Sequence, residues 1–441
     1  MHFTLIELPY TDEIAKNYQK LQDLPGFVLL ESIDKTRGRY DILSAMPYHK
    51  IKLVREQGDI EKTFTDLQKA ITHVDYGLDL PFQGGAIGFF SYDLACELAN
   101  IEISPQNDLA SVPLLLCGLY DWAIITDHQL RKITLFAGNT QADTPAIIDK
   151  VLTKWHSPMG DNLDCKITSP FSPLISKIEY EQAFHAIHQD LQRGRCYQVN
   201  YTQPFVAGYE GSLWAIYQRI REVNPVPYAA FMHTEYGGII SFSPERFVKL
   251  ENRFLLTSPI KGSEKRVHDP ELDNLLCQKL LSSEKNRAEN VMIVDLLRND
   301  FGQIAKTGSV IVDGLCQVES YSEVHHLVSH IRAQCRDEIS AIQAFKACFP
   351  GGSITGAPKL ESMKVIAEHE KYARGIYCGS IGYFSKHGQS DSNIAIRTIT
   401  ATKNFLHLYA GGGIVIDSDC EEEYQECFIK IAAILKGLYE S

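Results

Sequence analysis

Strand-forming runs in this chain come in blocks and do not alternate strictly with helices, which restricts its fold class more than any single motif does. Short apolar runs separated by turns, such as Phe27-Val-Leu-Leu and Trp122-Ala-Ile-Ile, occupy the first 155 residues. Further runs lie at Gly238-Ile-Ile-Ser-Phe and Phe254-Leu-Leu-Thr, and again over 376–384, 393–400 and 405–416. A parallel sheet would need a crossover helix after nearly every strand, so the blocks predict an α+β protein with antiparallel sheets. Between them, Ser176 with Glu179 three residues later gives a capping-box start for a helix. Tyr180, Phe184, Ile187 and Leu191 follow at helical spacing, and Gly194 stops it. The same spacing predicts one long helix over 270–299 and a last one over 419–438. Residues 156–176 are rich in Pro, Ser, Gly and Asp and read as a linker between an N-terminal region, 1–155, and a region 177–441.

The chain of 441 residues carries a formal charge of −12, which argues against a nucleic-acid partner, because phosphate binding needs a basic face. Eleven cysteines are scattered singly with no C-x-x-C, as expected for reduced thiols in the cytoplasm. The first residues lack the basic and apolar regions of a signal peptide, and the most apolar segment is interrupted by Asp121, so no membrane span is expected.

Several stretches have side chains suited to chemistry. Glu423 and Glu426 stand three apart on the last predicted helix, with Lys430 a further turn along, and Glu289 is on the long one. Carboxylates from two helices suit Mg²⁺, although acidic residues in a helix's first turn also simply offset its dipole. Gly411, Gly412 and Gly413 remove three Cβ atoms and would let backbone N–H groups approach an anion, unless they mark a sheet bend. PGGSITGAPK, residues 350–359, fits an anion site before a helix but is not a nucleotide P-loop. Lys261, in SPIKGS, reads in isolation as a solvated turn lysine.

Taken together, these segments resemble the chorismate-utilising enzymes, the family of anthranilate and aminodeoxychorismate synthase large components and of isochorismate and salicylate synthases. FSPERF, SPIKGS, RAENVMIVDLLRND, EVHHLVS, GGSITGAPK, AIRT, GGGIV and EEEYQE occur in family order across about 175–440. The resemblance implies a single intertwined α+β unit, two large antiparallel sheets with helices outside and the active site between them. It implies Mg²⁺ on Glu289 and Glu426 with Glu423 close by; where the family often has a further acid, this chain has Asn286. Tyr377, Arg397, the amides of Gly411 to Gly413 and nearby Lys430 would hold the enolpyruvyl carboxylate of chorismate. His326 and Ser353 would orient the ring, and Glu245 would be the general acid.

Two positions then bear on the reaction. Water-adding members carry a lysine in the segment matching CYQVNYTQ, where this chain has Gln198, which cannot serve as a general base. Lys261 stands where related anthranilate synthases have alanine, and the PIKG wording resembles the aminodeoxychorismate branch, with Gly262 and Ser263 forming the wall beside it. A lysine amine could add at C2, expel the C4 hydroxyl, and then be displaced by ammonia at C4. No cysteine lies in a G-x-C-x-G elbow, so ammonia is expected from a separate glutamine amidotransferase subunit. Ser32 and Tyr228, in LLES and in the 224–231 segment NPVPYAAF, resemble contacts of the family's tryptophan pocket, with Val226 in place of a serine found in feedback-sensitive members. An anthranilate synthase component, a non-catalytic chorismate or tryptophan sensor and a pyridoxal-phosphate lysine enzyme are the competing readings.

Overall fold

The computed structural model describes residues 3–103, 108–160, 163–321 and 324–439. Asp161 and Asn162 of the linker stretch and Glu323 of the EVHHLVS segment lie outside them. Among the described residues the strands form two large antiparallel sheets, as expected for the α+β class. The first, 12-stranded, runs from Thr4–Leu8 through Lys132–Ala137, Trp122–Asp127, Tyr40–Ser44, Val28–Glu31, Tyr228–Thr234 and Gly237–Ser243. It continues through Thr398–Ala401, Phe405–Ile414 and Gln198–Gly211 to the short strand Gly356–Ala357. The second, 10-stranded, begins with Ile260–Lys265, Val324–Gln334, Phe254–Thr257, Arg246–Glu251 and Ser390–Asn393. Ser380–Ser385, Gly85–Phe90, Leu115–Tyr120 and His49–Leu53 complete that path.

The division at 156–176 needs correction. Val28–Glu31 pairs with Tyr228–Thr234, and Gly85–Phe90 pairs with Ser380–Ser385, so both sheets mix the two regions. One continuous apolar core runs through both. The supposed linker itself holds the strand Cys165–Pro173, paired with the edge of Gln198–Gly211. Pro170 and Pro173 are tolerated there because an outermost strand does not need every N–H for pairing. The long helix over 270–299 is two helices, Pro270–Ser282 and Glu284–Gly302. Ser283 is extended between them (ψ 107°), and its hydroxyl accepts from the Asn286 N–H at 3.3 Å. The capping box at Ser176 and Glu179 is present and opens the helix Lys177–Gln192.

Aromatic side chains fill the core on both sides of the molecule. Phe27, Trp214, Tyr217, Phe231 and Phe242 pack edge-to-face or stacked under the helix Leu213–Val223. Phe90, Phe247, Phe345, Phe349 and Phe384 form a second group beneath the helix Ala341–Cys348. Truncating one such ring to alanine costs about 3–5 kcal/mol, so these clusters fix the sheets firmly.

Two strand connections cross from one sheet to the other side by side, and they create the corner on which the site is built. Gly237–Ser243 of the first sheet passes through Pro244 and Glu245 into Arg246–Glu251 of the second. Ser390–Asn393 returns through residues 394–397 into Thr398–Ala401. The Ile394 N–H donates to Glu245 O at 3.0 Å, and the Phe242 N–H donates to Arg397 O at 3.1 Å. The Ser243 hydroxyl donates to Ile394 O at 2.6 Å. These bonds bring together a carboxylate and a guanidinium that are far apart in sequence.

Candidate active site

A cavity of about 550 Å³ opens beside this corner. Glu245 and Arg397 reach it from the two crossovers. Lys261, Gly262 and Ser263 come from the strand Ile260–Lys265, and His326 comes from its neighbour, directly opposite Ser263. Ser353 and Ile354 enter from the turn before Gly356–Ala357, and Tyr377 from the turn before Ser380–Ser385. Tyr409, Ala410, Gly411 and Gly413 form one wall, while Glu289, Glu423, Glu426 and Lys430 come from two helices, Glu284–Gly302 and Cys420–Tyr439.

The acid–base groups are coupled through one residue. The Ser353 hydroxyl donates to Glu245 Oε1 at 2.9 Å, and Lys261 Nζ donates to the Ser353 carbonyl at 3.4 Å. Burial pushes the Glu245 carboxyl up to about 7, against the opposing pull of the Ser353 hydroxyl and the Lys261 charge. Loss of hydration lowers the Lys261 amine, and Lys430 adds to that, while Glu289, Glu245 and Glu426 oppose it. Both shifts are toward the uncharged forms of the two groups. His326 is lowered to about 4 by burial and by Arg37 and Arg397, so it is neutral near pH 7, with Nδ1 2.7 Å from the Ser263 hydroxyl.

Arg397, Tyr377 and the glycine strand contribute further to the cavity lining. Arg397 adopts a left-handed backbone (φ 51°), which an arginine tolerates only where surrounding structure holds it. Its charge is felt at His326, and burial is the main influence on it. Tyr377 stacks on Tyr409 with centroids 5.5 Å apart. Lys430 is already engaged, donating to Gly411 O at 2.7 Å and pairing with Glu426 at 2.6 Å.

Glu289 lines the same cavity as Glu423 and Glu426 but comes from a different helix. Glu423 Oε1 accepts from the Ser418 hydroxyl at 2.7 Å, whereas its buried Oε2 has no hydrogen-bond partner among the described residues. An orphaned carboxylate oxygen in a cavity lined by two further carboxylates fits a hard divalent cation. The three carboxylates do not all close to within 4.8 Å of one another; among the described residues Asp190, Glu368 and His369 do. Arg195 already binds that second group, at 3.1 Å from Asp190 and 2.7 Å from Glu368.

Two residues expected at the cavity lie behind its surface. A Cβ on Gly412 would come within 2.3 Å of Glu423 Oε2, so Gly412 turns toward the carboxylate helix and not toward the cavity. Gln198 is fully buried behind Gly413, where a Cβ would meet its Nε2 at 2.3 Å, and neither end of its amide has a partner among the described residues. Ser32 and Tyr228 belong to a different cavity, of about 300 Å³, which Arg37, Arg246 and Asp391 also line. The Ser32 hydroxyl there donates to Tyr40 O at 2.9 Å.

Asn200, Lys285, Tyr409 and Ile429 also line this cavity, beyond the residues the sequence singles out. Signals for two of them were present. Asn200 is two residues from Gln198 on one strand and therefore on the same face. Lys285 is one helical turn before Glu289 and reaches to 4.0 Å from Glu423. Tyr409 and Ile429 carry no local signal beyond an apolar strand and helix.

No described helix is long and apolar enough to cross a membrane. A protein from Salmonella typhimurium named aminodeoxychorismate synthase component 1 is 41% identical, covering 99% of this chain and 98% of its own. Its namesake from Bacillus subtilis is 34% identical over 97% and 95%. The crystal structure of anthranilate synthase component I from Streptococcus pneumoniae superposes with a TM-score of 0.82 at 32% identity, over 90% of this chain and 92% of that one. The sequence pattern of the chorismate binding enzymes matches residues 26–436. With nearly its whole length matched and its shared motifs gathered around one cavity, this chain belongs to the chorismate-binding enzyme family.

Proposed function

We propose that this chain aminates chorismate at C4, giving 4-amino-4-deoxychorismate for para-aminobenzoate and folate synthesis. The observation that carries the reading is Lys261, whose amine shares the cavity with Glu245 and the carboxylate pair and is shifted toward its neutral form. The full-length relatives named for the same conversion support it.

In this reading the Lys261 amine adds to C2 of the ring, both conjugated ring double bonds shift by one position, and the C4–O bond breaks. Glu245 gives its proton to the departing hydroxyl, which leaves as water. Ammonia then forms the C4–N bond, both double bonds shift back, and the C2–N bond to Lys261 breaks. The carboxylate of Glu245 is placed to take the proton that the new amine sheds. Ser353 keeps acid and amine in register, and Ser263 with neutral His326 offers an uncharged polar edge to the ring. Arg397 and Tyr377 would receive the enolpyruvyl carboxylate, a planar anion suited to a guanidinium fork. Mg²⁺ held by Glu289 and Glu426, with Glu423 alongside, would neutralise and fix the ring carboxylate.

Ammonia is supplied in this reading by a separate glutaminase subunit, in keeping with the word component in the relatives' names. The cavity holding Ser32 and Tyr228 is proposed to take tryptophan.

Protein quenched with chorismate in the absence of ammonia should gain the mass of a dehydrated chorismate on Lys261. Product analysis with chorismate, Mg²⁺ and ammonium decides against the nearest rival: anthranilate formed without a lyase partner would sink the proposal.

A further inference from the structure

Arg374 lies behind the catalytic cavity, only 2% exposed, yet its guanidinium is bonded to the backbone of two cavity walls. Nη2 donates to Asn200 O at 2.6 Å, and Nη1 donates to Ile354 O at 3.4 Å. A third wall grows from its own turn, where the Tyr377 N–H donates to Arg374 O at 3.2 Å. Asn200, Ile354 and Tyr377 all line the cavity.

The guanidinium is itself clamped from outside. Nε and Nη2 donate to the two oxygens of Glu370 at 2.7 and 2.6 Å. Glu370 Oε1 also accepts from the Thr202 N–H at 3.1 Å and the Thr202 hydroxyl at 2.9 Å, two residues along from Asn200. Tyr92 lies under the guanidinium, 4.4 Å from ring centre to Cζ, and its N–H donates to Gly375 O at 2.9 Å. A buried ion pair of this kind gains little stability over a well-packed apolar pair, so its reason is better sought in what it holds. The rigid five-donor fork serves four acceptors at once, the two Glu370 oxygens, Asn200 O and Ile354 O, whereas a lysine ammonium has only three donors on a flexible stem.

We propose that Arg374, clamped by Glu370, is a positioning residue that sets the strand start at Asn200, the Ser353–Ile354 turn and the Tyr377 turn relative to one another. The consequence reaches the reacting groups through Ser353, one residue before the Ile354 carbonyl that Arg374 holds. Ser353 supplies both the hydroxyl on Glu245 and the carbonyl on Lys261. A displacement of about 1 Å in such a constellation costs on the order of 100-fold in rate.

The kinetic part of the test rests on the reaction proposed above; the exchange part does not. Arg374→Lys keeps the charge and removes the fork, and Glu370→Gln keeps an acceptor and removes the clamp's charge, serving as the second variant if the first does not fold. In Arg374→Lys, kcat per folded molecule should fall about 100-fold and the chorismate KM should rise at least about threefold. Hydrogen exchange should quicken together over 198–202, 352–356 and 374–379 in protein that remains folded. Wild-type kcat and KM per folded molecule, or faster exchange confined to 370–376, would overturn the proposal. If the wild-type chain does not aminate chorismate, the reaction reading falls and joint exchange of the three segments alone decides the positioning role.

Discussion

Ser353 donates its hydroxyl to Glu245 Oε1 at 2.9 Å inside the corner where two strands change sheets. The contact favours the carboxylate, burial favours the acid, and burial wins, leaving Glu245 at about 7. If the protonated form is the working one, kcat/KM for chorismate at fixed free ammonia should fall as pH rises through about 7. Ser353→Ala removes a contact that lowers the value, so its limb should move up by about one unit. A limb unmoved in Ser353→Ala would assign it to another group.

The same shift has a consequence for stability. Glu245 has a folded value above its ordinary 4.5, so its ionisation removes stability progressively from pH 4.5 through about 7. Glu245→Gln should therefore gain stability relative to wild type at pH 8 but not at pH 4, while losing about 10²–10⁴ in rate. Urea midpoints at the two pH values, with turnover measured on the same preparations, check both halves.

Lys261 separates nucleophile from guard. Lys261→Ala and Lys261→Arg should both lose the adduct and about 10²–10⁴ of the rate, because a guanidinium stays charged and does not add to carbon. A Lys261→Arg variant near wild-type activity would show that only the cation matters. Mass spectrometry of the quenched proteins reads the adduct directly.

Much of this site was legible because each contributing segment carries its chemistry locally: PIKG, FSPERF, AIRT and EEEYQE hold their reactive groups within a few residues. The partners that tune those groups were not. The Ser353 bridge joins residues 108 apart, and the Arg374 clamp joins three segments, so neither leaves a periodic trace. Gly412 falls in an expected strand and Gln198 in a segment with no strand expected, and neither lines the cavity. Side-chain alternation gives a face, whereas depth depends on what the neighbouring strand and helix leave free. The linker reading failed for a related reason: Pro and Ser mark loops and outer strands alike, and only the pairing with 205–211 distinguishes them.

The carboxylates can be tested without turnover. Glu289→Gln and Glu426→Gln should each weaken Mn²⁺ binding, followed by electron paramagnetic resonance with the metal alone, by at least about 10-fold. Glu422→Gln, on an exposed side chain of the same helix, should leave it unchanged. Equal binding in all three variants would remove the metal from this site.

The glycine strand supplies a final prediction, because its three members are glycine for different reasons. A Cβ on Gly411 would lie 2.0 Å from Tyr201 O and 2.7 Å from Thr202 Cα, backbone atoms of the paired strand that cannot move aside. A Cβ on Gly413 would instead meet the end of the Gln198 side chain, which can swing away. Gly411→Ala should therefore lose about 1–3 kcal/mol of stability. Gly413→Ala should lose less and push the Gln198 amide toward the cavity, raising the chorismate KM. Thermal melts and steady-state kinetics on the pair separate the outcomes, and equal melting temperatures would mean the strand pairing yields more readily than its geometry indicates.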